Sequence, residues 1–181
     1  MRTEMRRQTG VVRSVIFLCL LSCASTPIKE TELGDAEAYY NRGFAYGEKG
    51  KYDQAISDFT KALELNPGDA RAYGRRGFAY GRKGQYDQAI SDFTKALEIN
   101  PKFADAYYNR GVAYGKMSQY DQAISDYTRT LEINPRFADA YYNRGVAYGR
   151  KGQIDRAISD YTRAIEIDPK LAERRREDKN K

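Results

Sequence analysis

Asparagines stand at Asn41, Asn109 and Asn143, each preceded by a tyrosine (Tyr40, Tyr108, Tyr142) and followed by Arg-Gly. An amide side chain donates and accepts at once, the complement of a main-chain amide. A tyrosine adds apolar area with a polar tip, as interface residues often do. This is the chemistry of recognition, not of bond breaking. At the corresponding place in the second copy the pair is Gly74-Arg75, and Arg71 and Arg82 lie close by, a basic spot where a carboxylate could sit. The chain contains no histidine, which excludes Ser-His-Asp and Cys-His mechanisms. Both cysteines, Cys19 and Cys23, precede the repeating part, so the folded part holds no disulfide framework and no thiol–imidazole metal site. No nucleotide loop or metal cluster is present, each carboxylate is one of several copies, and neither an enzyme nor a cofactor is expected.

The positioning elements follow from a 34-residue period. YYNRG at Tyr39–Gly43 returns at Tyr107–Gly111 and Tyr141–Gly145, with YGRRG at Tyr73–Gly77 between them. Counted from Ala36, the repeats are 36–69, 70–103, 104–137 and 138–171, and the last two agree at 24 of 34 positions. A fixed period of this size is the signature of a repeat array. Each repeat carries two helical stretches, over positions 1 to 14 and 17 to 31. Gly50, Gly84, Ser118 and Gly152 separate them, and Pro67, Pro101, Pro135 and Pro169 follow the second. Glycine accepts the left-handed turn and proline cannot continue a helix. Tyr39, Gly43 and Tyr46 share one helical face, and Ala55, Phe59, Ala62 and Leu63 form the facing stripe. A mid-helix glycine costs about 1 kcal/mol against alanine; Gly43 offsets this by letting Ala55 approach the first helix. Arginine at position 7 (Arg42, Arg76, Arg110, Arg144) and aspartate at position 23 (Asp58, Asp92, Asp126, Asp160) recur together. They are expected to pair within each repeat, each pair worth under about 1 kcal/mol if partly exposed.

These residues resemble the tetratricopeptide repeat over 36–171: a large residue, Gly and an aromatic in the first helix, then Ala, an aromatic, Ala and Pro. In repeat one these are Tyr39, Gly43, Tyr46, Ala55, Phe59, Ala62 and Pro67, and the other repeats match with Tyr127 and Tyr161 for phenylalanine and Thr130 for one alanine. The resemblance implies an all-α, right-handed α-solenoid of four helix-turn-helix repeats, in which positions 2, 5, 6, 9, 12 and 13 line a concave groove. That groove would carry Tyr40, Tyr108, Tyr142, Asn41, Arg75, Asn109, Asn143, a glycine at position 12 in every repeat, and Glu48, Arg82, Lys116 and Arg150 at position 13. By resemblance an asparagine ladder grips an extended peptide by its main chain; otherwise the asparagines are solvated or bond neighbouring repeats. The arginine at position 7 departs from the family's leucine. Tyr40, Asp105 and Asn109 stand where the chaperone-tail clamp has basic residues, so that form of recognition is not implied. Residues 172–181 lack the aromatic and glycine of a further repeat and read as a short charged cap or tail.

Ahead of the array, residues 1–22 carry four arginines and one glutamate, then an apolar run at 15–21 and small residues beyond it. The run is well short of the roughly 20 residues that span a bilayer and reads as a secretory signal. Leu20-Leu21-Ser22-Cys23 resembles the bacterial lipobox, which implies cleavage before Cys23 and acylation of that residue. Several acyl chains give stable anchoring. Residues 23–35 then read as a lipidated tether of polar character. The formal charge of +6 falls to +3 without residues 1–22, too little positive charge on one face for a nucleic-acid reader.

The expectation is a non-catalytic scaffold that binds a protein or an extended peptide segment. It would be held to a bacterial membrane, outer more readily than inner, facing the periplasm, and would act in cell-envelope complex assembly. The alternative is a self-associating assembly protein that uses the array ends.

Overall fold

The computed structural model describes residues 30–171, and these form eight helices. They are α1 (Glu30–Glu48), α2 (Tyr52–Leu65), α3 (Ala70–Arg82), α4 (Tyr86–Ile99), α5 (Ala104–Lys116), α6 (Tyr120–Ile133), α7 (Ala138–Arg150) and α8 (Ile154–Ile167). No strand occurs among the described residues. Each repeat supplies one helix pair, and each pair packs on the next. The odd-numbered helices also touch their next-but-one neighbours, whereas the even-numbered ones do not. The array is therefore an all-α solenoid that curves with α1, α3, α5 and α7 on its inner side. Among the described residues no helix is long and apolar enough to cross a membrane.

The inter-helix turns behave as their composition requires. Gly50, Gly84 and Gly152 have φ of +69°, +75° and +72°, and Ser118 adopts φ +60° in the same place. The first helix differs from expectation. The stretch read as a polar tether is helical from Glu30, so α1 begins six residues ahead of repeat position 1. Beyond Pro27 nothing but the single Gly34 opposes helix, and propagation from a packed helix costs far less than nucleation.

The core is a column of small residues and one aromatic per pair. Ala55, Phe59 and Ala62 recur as Ala89, Phe93 and Ala96, all buried. The position-8 glycine admits the aromatic of the second helix, a correction to the expected role of Ala55. A Cβ on Gly43 would lie 3.1 Å from the Phe59 ring, and one on Gly111 would lie 2.8 Å from Tyr127 Cε1. In repeats two and four the backbone of the second helix also comes close, the Ala89 and Ala157 carbonyls at 3.2 Å. The position-12 glycines are different: no atom lies within 4 Å of a Cβ built on Gly47.

The Arg–Asp pairs form in all four repeats, with two hydrogen bonds each. Arg76 donates from Nε to Asp92 Oδ2 and from Nη2 to Asp92 Oδ1, both at 2.8 Å, and Arg110 and Arg144 repeat the geometry on Asp126 and Asp160. Arg42 donates to Asp58 at 2.6 and 2.8 Å. The aspartates are buried, at 4–6% exposure, so the surface-pair magnitude expected from sequence does not apply. Each inner arginine has a further partner. Arg76 Nη1 donates to Thr60 Oγ1 of the preceding repeat at 3.0 Å, and Arg110 and Arg144 reach Thr94 and Thr128 at 2.9 and 3.1 Å. Those threonines in turn donate to the carbonyls of Ile56, Ile90 and Ile124. The arginine at position 7 thus ties its own second helix to that of the repeat before it. Arg76, Arg110 and Arg144 also lie over Tyr73, Tyr107 and Tyr141, the tyrosines at position 4 of their own repeats.

Removing one partner of a buried pair leaves an uncompensated charge, a cost of about 3–5 kcal/mol. Arg110→Ala is expected to destabilise by that amount in urea unfolding. Arg42→Ala, with its side chain 55% exposed against 17% for Arg110, is expected to cost less, about 1–3 kcal/mol, because the buried Asp58 still loses its partner but lies beside an open end of the array. Gly111→Ala is expected to lose about 1–3 kcal/mol through overpacking against the buried Tyr127. Gly47→Ala, which meets open space, is expected to gain up to about 1 kcal/mol. Melting temperatures measured side by side check the opposite signs.

Candidate functional site

The inner surface is built from the odd helices, and its side chains divide into those engaged within the molecule and those left facing outward. The tyrosines at position 5 serve partly as core. Tyr40, Tyr108 and Tyr142 lie against the second-helix aromatics Phe59, Tyr127 and Tyr161, with ring centroids 5.7, 6.0 and 5.1 Å apart. Tyr108 also stacks on Phe137 at 4.8 Å. Gly74 takes the tyrosine's place in repeat two, and there Phe103 lies 3.1 Å from where a Cβ would stand. Phe103 and Phe137 immediately precede α5 and α7. A lone aromatic beside a proline turn carries no helical period, so their role is not legible in the sequence.

The asparagine ladder is divided. Asn143 Nδ2 donates to Tyr108 Oη at 2.9 Å, a link between repeats three and four, and Asn109 Nδ2 donates to the Asp105 carbonyl one turn earlier at 2.8 Å. Asn41 is exposed. The donor half of the ladder is therefore largely used internally at Asn109 and Asn143.

The basic spot of repeat two is dispersed as well. Arg71 bridges Asp69 at 2.8 Å and Glu37 at 3.0 Å and covers the Tyr40 ring at 4.8 Å. Arg82 Nε donates to Tyr52 Oη at 3.0 Å, and Arg75 lies over Phe44 at 4.7 Å. Asp69 caps α3, accepting from the backbone N–H groups of Arg71 and Ala72. Burial works against its charge, but the Arg71 guanidinium and these N–H groups outweigh it and hold its carboxyl below the usual range.

The open space lies further along. A cavity of about 390 Å³ between repeats three and four is lined by Gly115, Lys116, Tyr120, Tyr127, Asn143 and Arg150, with Val112, Ser118, Val146 and Ala147. Gly115 is a position-12 glycine, and its missing side chain leaves the floor open above Tyr127 Oη, 3.7 Å from an added Cβ. Burial pushes the Tyr127 phenol up, so it stays neutral. Lys116 and Arg150 are both position-13 residues, and no carboxylate among the described residues pairs with either within 4 Å. This site combines two cations, an amide and a tyrosine hydroxyl. It can receive a carboxylate-bearing side chain or a main-chain amide. No cluster that could hold a metal ion occurs among the described residues. Cys23 lies outside the described residues.

A curved stack of 34-residue helix pairs, with a small-residue seam and an open inner face, defines the class of α-solenoid binding repeats. The chain belongs to the tetratricopeptide repeat family. Its model matches residues 36–69, 104–137 and 138–171, and related models match 82–118 and 59–91. Repeat two, where Gly74 and Arg75 replace Tyr-Asn, is matched only by those out-of-register models. No curated protein matches the chain.

Among solved structures, a crystal structure of MamA is 33% identical, covering 77% of this chain and 81% of that one at a TM-score of 0.72. The first TPR of Spaghetti (RPAP3) bound to HSP90 peptide SRMEEVD is 28% identical over 66% and 95%, at 0.65. The Arabidopsis OM64 TPR domain is 26% identical over 65% and 98%, at 0.64.

The divided ladder carries its own prediction. Asn143→Ala is expected to cost about 1 kcal/mol, one intramolecular hydrogen bond. Asn41→Ala is expected to stay within about 0.5 kcal/mol of the parent. Denaturant midpoints of the two variants check the difference.

Proposed function

We propose that the chain is a non-catalytic scaffold whose inner groove holds an extended segment of another protein, with an acidic side chain of that segment seated between Lys116 and Arg150. The observation that carries this is the cavity itself, where two cations without carboxylate partners, the Asn143 amide and Tyr120 converge on an open glycine floor. The similarity to a repeat domain bound to the HSP90 peptide SRMEEVD supports a peptide as the occupant. The occupant differs in kind from that peptide. Tyr40, Asp105 and Asn109 stand where the chaperone-tail clamp carries its basic residues, and the cations here sit at position 13 of repeats three and four.

The scaffold acts at a bacterial envelope membrane, facing the periplasm and held by lipid on Cys23. The support for this is the Leu20-Leu21-Ser22-Cys23 motif behind a basic and then apolar leader. Its task there is complex assembly, without nucleic acid.

In-cell crosslinking of the native chain and of Lys116→Glu/Arg150→Glu, both substitutions at exposed positions, tests the groove. Capture of specific segments is expected to fall at least about tenfold in the variant; unchanged capture would overturn the groove reading. Cys23→Ala is expected to move the protein from the membrane pellet to the soluble fraction and to remove acyl mass from the purified chain. An unmodified Cys23 in the native protein would overturn the anchor.

A further inference from the structure

We infer that the two ends of the array are halves of one interface, and that copies of this chain stack head to tail. Three times within the molecule a repeat covers the one before it by the same set of contacts. The position-7 arginine donates to the position-25 threonine of the preceding repeat, as Arg76 to Thr60, Arg110 to Thr94 and Arg144 to Thr128. The position-3 alanine is buried in that contact, with Ala72, Ala106 and Ala140 at 0–2% exposure. So is the position-28 leucine of the preceding repeat, with Leu63, Leu97 and Leu131 at 6–7%.

At the ends the same positions lie open. On α1, Ala38 is exposed and the Arg42 side chain is 55% exposed. Arg42 Nη1 makes no hydrogen bond among the described residues. Together with Lys61, Glu64 and Leu65, these two residues border a cavity of about 610 Å³. On α8, Thr162 is exposed and donates only to the Ile158 carbonyl, and no arginine among the described residues reaches it. Ile158 and Ile165 are 57% and 43% exposed. Ile158, Thr162 and Ile165 are spaced i, i+4, i+7, so they form one stripe along α8. One end thus presents the donor half of the repeated contact and the other presents the acceptor half with its apolar flank.

In sequence, residues 172–181 differ from the missing half. Carried on in register, residues 172–181 place Arg174 at position 3, Arg175 at position 4, Asp178 at position 7 and Lys179 at position 8. The other repeats have Ala, Tyr, Arg and Gly at those positions, and a second copy offers them as Ala38, Tyr39, Arg42 and Gly43. A contact that joins different surfaces and does not close generates an open-ended stack. Here that stack would continue the solenoid and extend its groove from copy to copy.

Sedimentation velocity on the full chain in a nonionic detergent, over a concentration series, tests this. Two variants block one end each at exposed positions: Ala38→Glu on α1, and Ile158→Glu/Thr162→Lys on α8. Circular dichroism melts of both are expected to overlay the parent. The parent is expected to grow in size with concentration, and each variant alone is expected to remain a monomer at every concentration. An equimolar mixture of the two is expected to form a species of two copies that grows no further, because one good front meets one good back. A parent that stays monomeric would overturn the proposal and leave the tail as the cover of α8. Assembly that persists in either variant would overturn it in favour of association through the groove or residues 1–29. A mixture that stays monomeric would overturn head-to-tail geometry in favour of pairing between like ends.

Discussion

The array depends on a half-buried guanidinium held between repeats. Arg76, Arg110 and Arg144 each satisfy the aspartate of their own second helix with two parallel hydrogen bonds, which use Nε and Nη2. The remaining Nη1 reaches a threonine of the previous repeat. The rigid fork of arginine makes this possible, since one planar group presents donors in several fixed directions. A leucine at this position would bury area as well but would not specify direction. Desolvation opposes the attraction of the paired charges. What the arrangement specifies is register: only a repeat offset by one unit brings Thr60, Thr94 or Thr128 under the next guanidinium.

This constraint explains why the inner face can remain open. Stability in such arrays is a sum over repeats and the contacts between neighbours. Those contacts run through Arg, Asp, Thr and the small-residue seam on the stacking faces, so positions 12 and 13 of repeats three and four can stay open although other groove residues pack within the fold. Glycines at position 12 are tolerated there although they weaken the helix. In repeats three and four the floor is open and no carboxylate among the described residues pairs with Lys116 or Arg150, whereas Arg71 and Arg82 are absorbed into contacts between repeats. The same logic makes the ends of the array distinctive, since each carries a stacking face with nothing from the described fold against it.

The architecture was legible from sequence because its signals are local and repeated four times. A glycine at position 8, a turn residue at position 15 and a proline at position 32 act on their own stretch of chain, through backbone sterics that do not require knowledge of neighbours. The Arg–Asp pairing was legible for a related reason, as two unusual residues recurring 16 apart in every repeat could meet only across the helix pair. The start of α1 is not legible from the repeat, because the helix begins at Glu30, ahead of repeat position 1, where no proline follows Pro27 to stop it.

The sequence by itself determined the helix pairs, their period and the seam of small residues. Only the tertiary structure decided which side chains of the first helices remain available. Asn109 and Asn143 look alike in sequence, yet one bonds its own helix and the other bonds Tyr108 of the preceding repeat. Arg71 and Arg150 are both exposed cations, yet one meets Glu37 and Asp69 and the other borders an open cavity. Thr60 and Thr162 occupy the same repeat position, yet one lies beneath an arginine and the other faces outward. The reason is physical. A helical period specifies the direction of a side chain from its own axis, but hydrogen bonding and burial depend on what the adjacent repeat places opposite it.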